Sequence, residues 1–188
     1  MSVIQANHVL DAKGLACPMP IVKTKKTMKD LQEGQVLEIQ ATDKGSKADL
    51  KAWAESTGHQ YLGTLEEGEL LKHYLRKAGQ DDQNVERQHP HVVSNEELAA
   101  SLTDEAILLD VREAAEYAFA RIPGAISIPL GELEERMNEL QADQTIYVIC
   151  RTGSRSDMAA QKLAASGFSH VYNVVPGMSQ WTGETTGV

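Results

Sequence analysis

The sequence predicts an α/β protein built from two domains. Segments with the alternation of a strand and segments with the periodicity of a helix follow one another in both halves of the 188 residues. Residues 77–90 separate the halves, because this stretch is polar, nearly devoid of apolar side chains and closed by Pro90. We therefore assign a first domain to residues 1–76, a linker to residues 77–90 and a second domain to residues 91–188.

Charge is distributed unevenly over these three parts. The first domain carries ten basic and ten acidic residues, the linker two and three, and the second domain six and fourteen. The second domain thus has a net charge of −8, which argues against nucleic acid as a partner because phosphate binding needs a basic face. The sequence shows neither a signal-peptide pattern at its start nor an apolar run long enough to span a bilayer, so we expect a cytoplasmic protein without a membrane partner.

The first domain is predicted to contain four strands and two helices. A short strand ends at Asp11, and a helix runs from about Pro18 to Leu31 before Gly34. The remaining elements are a strand at 36–41, a helix at 46–56, and strands around 61–63 and 70–75. The predicted order is therefore strand, helix, strand, helix, strand, strand.

Cys17 is one of two cysteines in the sequence and lies where the first strand turns into a helix. Proline suits the first turn of a helix, so Pro18 is placed at the first helical position and Cys17 at the N-cap. There the sulfur would face unpaired backbone N–H groups and the positive end of the helix dipole. Such surroundings lower the pKa of a thiol, and we expect Cys17 to be exposed and held as a thiolate.

This region resembles the TusA-like, or SirA-like, sulfur carriers over roughly residues 5–76. The likeness rests on the stretch from Leu10 to Pro20, which contains Cys17-Pro18-Met19-Pro20, together with Gly34 and Thr42-Asp43. The resemblance implies a two-layer βαβαββ sandwich that presents the matching cysteine, Cys17, on its surface. It further implies that Cys17 carries a persulfide between sulfurtransferases, with Pro18 and Pro20 as supporting residues.

The second domain alternates strands and helices, which is typical of a parallel sheet covered by helices on both faces. A capping box over Ser94–Glu97 predicts a helix that runs to Leu102. Strands are predicted at 106–111, 126–129, 145–149 and 171–175, and helices at about 130–140 and 156–166. The third of these strands is strongly apolar and delivers Cys150 to its carboxyl end, where open parallel sheets place their ligand sites.

The loop after Cys150 is predicted to hold the chemistry of this domain. Gly153 is free to take a positive φ, so successive backbone N–H groups can point at the sulfur and form an anion site. Arg151 and Arg155 add positive charge to an acidic domain. This arrangement would favour the thiolate, attract an anionic donor and stabilise a terminal persulfide. The predicted substrate-binding residues are Arg151, Thr152, Gly153, Ser154, Arg155 and Ser156.

Residues 91–183 resemble the single-domain rhodaneses. The matching segments are Leu109–Glu113, Glu116-Tyr117, Ile122–Pro129, Cys150–Ser156 and Gly177–Trp181. Two positions depart from the family pattern: Ala120-Arg121 stands where Gly-His is usual, and Pro176 stands where a first glycine is common. The resemblance implies a rhodanese fold with Cys150 as the nucleophile, and we expect Asp110 and Arg112 to support the cysteine loop by hydrogen bonds.

The length of the loop after Cys150 distinguishes a rhodanese from phosphatases and arsenate reductases of the same architecture. In dual-specificity phosphatases and arsenate reductases of rhodanese-like architecture, the arginine stands six residues after the cysteine, whereas Arg155 is the fifth residue after Cys150 and position 156 is a serine. By that comparison the shorter loop fits a sulfane sulfur rather than a tetrahedral phosphate or arsenate. Such an enzyme, and a non-catalytic rhodanese-like docking module, stay open as alternatives, although a docking module would be expected to lack the nucleophile.

We therefore expect a sulfurtransferase. Cys150 would take sulfur from a small anionic donor such as thiosulfate, or from a persulfide-donating protein, and its persulfide would pass the sulfur to an acceptor thiol on a protein or small molecule, including Cys17. No metal or organic cofactor is expected, since the intermediate is a covalent cysteine persulfide. His89 and His91 are too sparse for a metal site and are predicted to be solvated. A disulfide between the two cysteines would be a transient species in a reducing compartment.

Overall fold

The structure of the protein is a computed structural model, which describes residues 3–82 and 87–188. The chain divides into two compact units, Met1–Gln80 and Asp81–Val188. The division falls inside the predicted linker, and the middle of that linker, residues 83–86, lies outside the described residues. Hydrogen bonds of Gln88 and His89, given below, attach the end of the predicted linker to the second unit.

The first unit has the predicted order of elements. The strands form one sheet in the order β1-β2-β4-β3, in which β1 and β2 are parallel and the other neighbours are antiparallel. The elements are β1 (His8–Ala12), α1 (Met19–Asp30), β2 (Val36–Ala41), α2 (Ser46–Thr57), β3 (Gln60–Glu67) and β4 (Leu70–Arg76).

One apolar core joins the helices of this unit to its sheet. Leu37 and Ile39 are two residues apart on β2, so they point to the same face, and both are fully buried. Met28 of α1 and Leu50 of α2 belong to the same buried cluster. Because both helices contribute to one core with one sheet, the unit has two layers, and the expected βαβαββ fold is confirmed.

The second unit is a five-stranded parallel sheet in the order β5-β9-β8-β6-β7. Its strands are β5 (Val92–Ser94), β6 (Ile107–Asp110), β7 (Ile126–Ser127), β8 (Ile146–Ile149) and β9 (Val171–Val175). Its α-helices are α3 (Asn95–Ser101), α4 (Ala114–Phe119), α5 (Leu133–Arg136) and α6 (Ser154–Ala165), with short 3₁₀ turns at Leu130–Glu132, Met137–Glu139 and Met178–Gln180.

Helices cover both faces of this sheet, as the sequence predicted. Leu109 and Val148 pack in one buried cluster with Leu163 of α6, whereas the neighbouring residues Leu108 and Ile149 pack in a second cluster with α3. Adjacent residues of a strand point to opposite faces, so β6, β8 and β9 each contribute to both cores. Cys150 follows Ile149 and belongs to the cluster of α6.

Four local predictions differ from the structure: strand β5 was not predicted, and three helices differ as follows. The helix predicted at 130–140 is a 3₁₀ turn, a single turn of α-helix and another 3₁₀ turn, since Gly131 disfavours the helix at its start. Helix α4 was not predicted, because its capping box uses Glu113 rather than serine or threonine as the N-cap. Helix α6 begins at Ser154, two residues earlier than predicted.

A buried histidine lies among hydroxyl groups in the first unit. His73 is fully buried on β4, with Nε2 2.9 Å from the Ser46 hydroxyl and Nδ1 2.8 Å from the Thr64 hydroxyl. Ser46 donates its own proton to the carbonyl of Asp43, so Nε2 carries the ring proton and Nδ1 accepts. The ring is thus fully hydrogen-bonded while neutral. Burial, reinforced by the charge of Lys47, lowers the pKa of His73 to about 4.

We expect the first unit to lose stability in mild acid because of this residue. The pKa of His73 is about 4 in the folded unit against 6.5 in a free chain, so between these values the unfolded chain binds a proton that the folded unit does not. The free energy of unfolding should therefore fall as pH decreases from about 6.5 to about 4. An NMR titration, with His73→Gln to assign the ring resonance, should give a midpoint near pH 4. A midpoint near 6.5 would contradict the neutral, hydrogen-bonded ring.

Candidate active site

Cys150 lies at the carboxyl end of β8, at the point where the chain enters the loop before α6. The side chain is only 1 % exposed and points to the same face of the sheet as Val148, because the two residues are two apart along the strand direction. The sequence prediction that a buried strand delivers this cysteine to the end of a parallel sheet is confirmed.

The loop after Cys150 turns back onto the sulfur. The backbone N–H of Gly153 donates to Sγ of Cys150 over 3.1 Å. Gly153 makes this turn with a φ of +95°, a left-handed conformation that glycine adopts without the strain of a β-carbon. Helix α6 begins at the next residue, so the positive end of its dipole also lies beside the sulfur.

Ser156 and Asn173 form a buried polar chain next to the cysteine. Oγ of Ser156 lies 3.3 Å from Sγ of Cys150 and donates to Oδ1 of Asn173 over 2.6 Å. The amide of Asn173 in turn donates to the carbonyl of Gly153 over 3.1 Å. Because the Ser156 proton is bound by Asn173, the hydroxyl offers its lone pairs to the cysteine thiol. Asn173 was not among the predicted site residues. Its signal in the sequence is an asparagine in the middle of the apolar strand Val171–Val175, because a polar side chain that is buried there needs hydrogen-bond partners.

The carbonyl groups of the loop point away from the sulfur and bind a neighbouring segment. The N–H groups of Met178 and Ser179 donate to the carbonyl oxygens of Cys150 and Arg151 over 2.8 and 2.9 Å. Gly177 makes this approach possible, because a β-carbon at that position would lie 2.5 Å from the Cys150 carbonyl oxygen. Asn95 fixes Gly177 from the other side with hydrogen bonds to its N–H and carbonyl.

Arg155 does not present its charge as a free binding group. Its buried guanidinium pairs with both carboxylate oxygens of Glu116, at 2.7 and 3.1 Å, and its Nε lies 3.9 Å from Asp82. Burial opposes the charged form, but the Glu116 carboxylate outweighs it and raises the pKa of Arg155 above its ordinary value. The sequence predicted that Arg155 adds positive charge at the loop, and the structure shows that the Glu116 carboxylate balances this charge. Glu116 was missed as its partner, since only the fold brings α4 to the start of α6.

The other residues of the loop are less enclosed. Arg151, Thr152 and Ser154 are each half-buried. Among the described residues, no carboxylate lies within ion-pair distance of Arg151, so its charge is uncompensated there. Of the two predicted arginines, Arg151 is thus the one that can meet an anion directly.

Asp110 and Arg112 make a different contact from the one predicted. Their side chains form a buried bidentate pair, with a shortest distance of 2.7 Å, and Arg112 also donates to the carbonyl of Ala120 over 2.7 Å. Their hydrogen bonds within the described residues therefore hold the segment after α4 rather than the cysteine loop. The cause is their position at the end of β6, which directs the guanidinium toward that segment.

Cys17 lies in acidic rather than basic surroundings. It is exposed, as predicted, but Pro18 and not Cys17 occupies the N-cap of α1. Sγ of Cys17 donates to the carboxylate of Asp49 over 3.0 Å, and its backbone N–H donates to Asp43 over 3.1 Å. The hydrogen bond to Asp49, followed by desolvation and the charges of Asp49 and Asp43, raises the pKa of Cys17 above its ordinary value. The expectation of a stabilised thiolate is therefore wrong, because carboxylates from the other side of the site override the helix dipole.

The two predicted supporting prolines lie on either side of the start of α1. Pro18 is exposed at the N-cap, and Pro20 is buried and accepts a hydrogen bond from the Thr24 hydroxyl over 2.8 Å. They therefore shape the first turn of the helix that follows Cys17.

The histidines near the predicted linker differ in their surroundings. His89 is only 6 % exposed, and its Nε2 lies 2.7 Å from the carbonyl oxygen of Val171, so the prediction that it is solvated is wrong. His91 is exposed, as predicted. Over residues 3–82 and 87–188, no three histidine, cysteine, aspartate or glutamate side chains come together in a way that could hold a metal ion. The same ranges contain no helix long and apolar enough to cross a membrane.

The fold and the two cysteine sites define a sulfur-handling protein with a carrier-like unit and a rhodanese-like unit. The family model described as Sulfurtransferase TusA matches residues 8–77, and the Rhodanese-like domain matches residues 94–184. YrkF of Bacillus subtilis (strain 168), named as a candidate sulfur carrier protein, is 56 % identical over 184 residues, which are 97 % of this chain and 100 % of that protein. The chain belongs to the family of this sulfur carrier protein. In the chain, the TusA match is followed by the rhodanese-like match.

Further relatives match one domain each. The sulfur carrier protein TusA of Allochromatium vinosum is 44 % identical over 69 residues, covering 37 % of this chain and 91 % of that protein. Among solved structures, a rhodanese-related protein from Thermoplasma volcanium aligns with 51 % of this chain and 97 % of its own, at 29 % identity and a TM-score of 0.48.

Replacing Asp49 by asparagine should make Cys17 more reactive. The substitution removes the carboxylate that binds the thiol proton, so the pKa of Cys17 should fall. In a Cys150→Ser background, which leaves one thiol, the rate of alkylation by iodoacetamide at pH 7 should rise about three- to tenfold. The rate should also reach its plateau at a lower pH.

Glu55→Gln is the matched control for this change. Glu55 is an exposed carboxylate on the same helix, so its removal changes the net charge equally without touching Cys17. Equal alkylation rates in the wild-type and Asp49→Asn proteins, or an equal rise in Glu55→Gln, would show that the Asp49 hydrogen bond does not control the thiol.

Proposed function

We propose that the protein is a sulfurtransferase that takes sulfane sulfur onto Cys150 as a persulfide and passes it to an acceptor thiol. The observation that carries this proposal is the loop that closes on Cys150 with the Gly153 N–H directed at the sulfur. A donor aimed at sulfur, beside the N-terminus of α6, stabilises negative charge on the thiolate and on the outer sulfur of a persulfide. The rhodanese-like match and the sulfur-carrier relatives support the same chemistry.

The reaction needs two displacements at sulfur. The Cys150 thiolate attacks the outer sulfur of thiosulfate, the S–S bond of the donor breaks, and its electron pair leaves with sulfite. The new S–S bond makes Cys150 a persulfide. An acceptor thiolate then attacks the outer sulfur, and the Cys150 thiolate is released with the electron pair of the broken bond. A protein persulfide serves as donor in the same way, with a thiolate as the leaving group.

These steps use only side chains and backbone groups of the chain itself. Gly153 supplies an N–H donor, and Ser156 lies next to the sulfur. Arg151, which has no carboxylate at ion-pair distance among residues 3–82 and 87–188, offers its charge to an anionic donor. We therefore propose that neither a metal nor an organic cofactor takes part. The acceptors would be a thiol protein or a low-molecular-weight thiol, in addition to the chain's own Cys17.

Arg155 bears on the phosphatase and arsenate reductase alternatives. An enzyme that binds a tetrahedral oxyanion in this loop needs the guanidinium to face that anion. Here both terminal nitrogens of Arg155 bind the buried carboxylate of Glu116. This pairing, together with the short loop, favours a sulfane sulfur as the group transferred.

We further propose that the persulfide of Cys150 passes its sulfur to Cys17 of the same molecule. Both cysteines are free thiols, and the segment that joins their units keeps them at an effective concentration on the order of millimolar. The proton of Cys17 is bound by Asp49, so Cys17 is the weaker nucleophile until that proton leaves. This order of reactivity favours Cys150 as the first acceptor of sulfur and Cys17 as the second.

Replacing Cys150 by serine should abolish thiosulfate-dependent sulfur transfer to cyanide, because a hydroxyl is a far weaker nucleophile than a thiolate at neutral pH. Replacing Cys17 by serine is the matched control and should leave this half-reaction nearly unchanged. Wild-type rates in the Cys150→Ser protein, measured as thiocyanate formed over time, would refute the assignment of Cys150 as the sulfur acceptor.

Transfer from Cys150 to Cys17 should be first order and independent of protein concentration. One equivalent of labelled sulfur donor is added to the full chain at low micromolar concentration, and peptide mass spectrometry follows the label on each cysteine. Label that stays on Cys150, or that reaches Cys17 at a rate proportional to protein concentration, would rule out transfer within one molecule.

A further inference from the structure

The end of the predicted linker is built into the rhodanese-like unit. The backbone N–H groups of Gln88 and His89 donate to the two carboxylate oxygens of Asp157, over 3.1 and 3.0 Å. Asp157 lies in the first turn of α6, directly behind the cysteine loop, and is 2 % exposed. The His89 ring binds the carbonyl of Val171. These contacts fix the backbone of the segment against the helix that carries the loop.

Arg87 is the residue next to this anchor, and its side chain reaches the cysteine loop. A β-carbon placed on Gly153 would lie 3.5 Å from Nε and 3.6 Å from Nη2 of Arg87, so the guanidinium packs directly on Gly153. Gly153 is also the residue whose N–H donates to Sγ of Cys150. The guanidinium of Arg87 and the sulfur of Cys150 therefore contact the same residue.

Arg87 and Arg155 differ in how their charges are balanced. Arg155 is balanced by Glu116 and lies near a second carboxylate, Asp82, so it leaves no net positive charge for a substrate. Arg87 is exposed and, within the described residues, has no carboxylate at ion-pair distance. With Arg151, it supplies the uncompensated positive charge at the loop of an otherwise acidic unit.

We propose that Arg87 is a binding residue for the anionic sulfur donor at Cys150, so that the linker completes the sulfur-accepting site. This inference rests on the proposed function of Cys150. The residues involved precede the rhodanese-like match at 94–184, so the family region alone does not contain this charge. A guanidinium held at the loop attracts thiosulfate or a persulfide anion through its charge and offers N–H donors to the oxygen or sulfur of the donor.

Alkylation of Cys150 by a charged and a neutral reagent tests this charge without requiring sulfur transfer. In a Cys17→Ser background, the ratio of the rate with iodoacetate to the rate with iodoacetamide reports the potential at the Cys150 sulfur. Arg87→Gln should lower this ratio about three- to tenfold, and high salt should remove most of the difference. Arg87→Lys keeps the charge and should retain most of the wild-type ratio.

Arg136→Gln is the matched control, because Arg136 lies on α5 of the same unit and pairs with Glu132 and Glu139 at the surface. It should leave the alkylation ratio unchanged. In the sulfur-transfer assay, Arg87→Gln should raise the KM for thiosulfate about three- to tenfold with little change in kcat, since the charge acts on binding.

The outcomes distinguish a failure of the proposed function of Cys150 from a failure of the inference about Arg87. If the wild-type protein transfers no sulfur, the proposed function fails, whereas the alkylation ratios still report whether Arg87 sets the potential at Cys150. An unchanged ratio and KM in Arg87→Gln, or an equal loss in Arg136→Gln, would overturn the inference about Arg87. A fall in kcat and in melting temperature, with no change in the alkylation ratio or in KM, would show that Arg87 only supports the fold. This result would also overturn the inference about Arg87.

Discussion

The contact between the Gly153 N–H and the sulfur of Cys150 is the constraint around which the rhodanese-like unit is arranged. It requires Gly153 to take a positive φ, and it fixes the start of α6 one residue later. The loop carbonyls must then point outward, where the segment from Gly177 to Ser179 binds them. The side-chain amide of Asn173 donates to the carbonyl of Gly153, and the guanidinium of Arg87 packs on the same residue. The contact to the sulfur, the start of α6 and the conformation of the loop therefore depend on one another.

The two cysteines differ in the sign of the charge around them. Cys150 receives an N–H donor at the beginning of a helix, whereas Cys17 donates its own proton to a carboxylate. An N–H donor directed at the sulfur favours negative charge there, in a thiolate or in a persulfide anion. A thiol that is bound to a carboxylate reacts slowly until its proton leaves. The proposed order, in which Cys150 accepts sulfur before Cys17, rests on this contrast.

Sequence patterns were sufficient where the determining residues are close together. The order of elements in the first unit, the capping box at Ser94 and the position of Cys150 after β8 all follow from local periodicity and turn residues. Predictions failed where a partner comes from a distant part of the chain. Asp43 and Asp49 are 26 and 32 positions from Cys17, and Glu116 is 39 positions from Arg155. No local pattern shows that these carboxylates meet a thiol and a guanidinium, so the charge at both sites was misjudged.

A crystal structure of the protein after exposure to thiosulfate tests the central claim most directly. The account predicts an additional sulfur atom bonded to Sγ of Cys150, enclosed by the loop and within hydrogen-bond distance of its backbone N–H groups. A bare Cys150 in the same experiment on the Cys17→Ser protein, in which the sulfur cannot move on to Cys17, would contradict the claim that the loop around Cys150 is where sulfur enters the molecule.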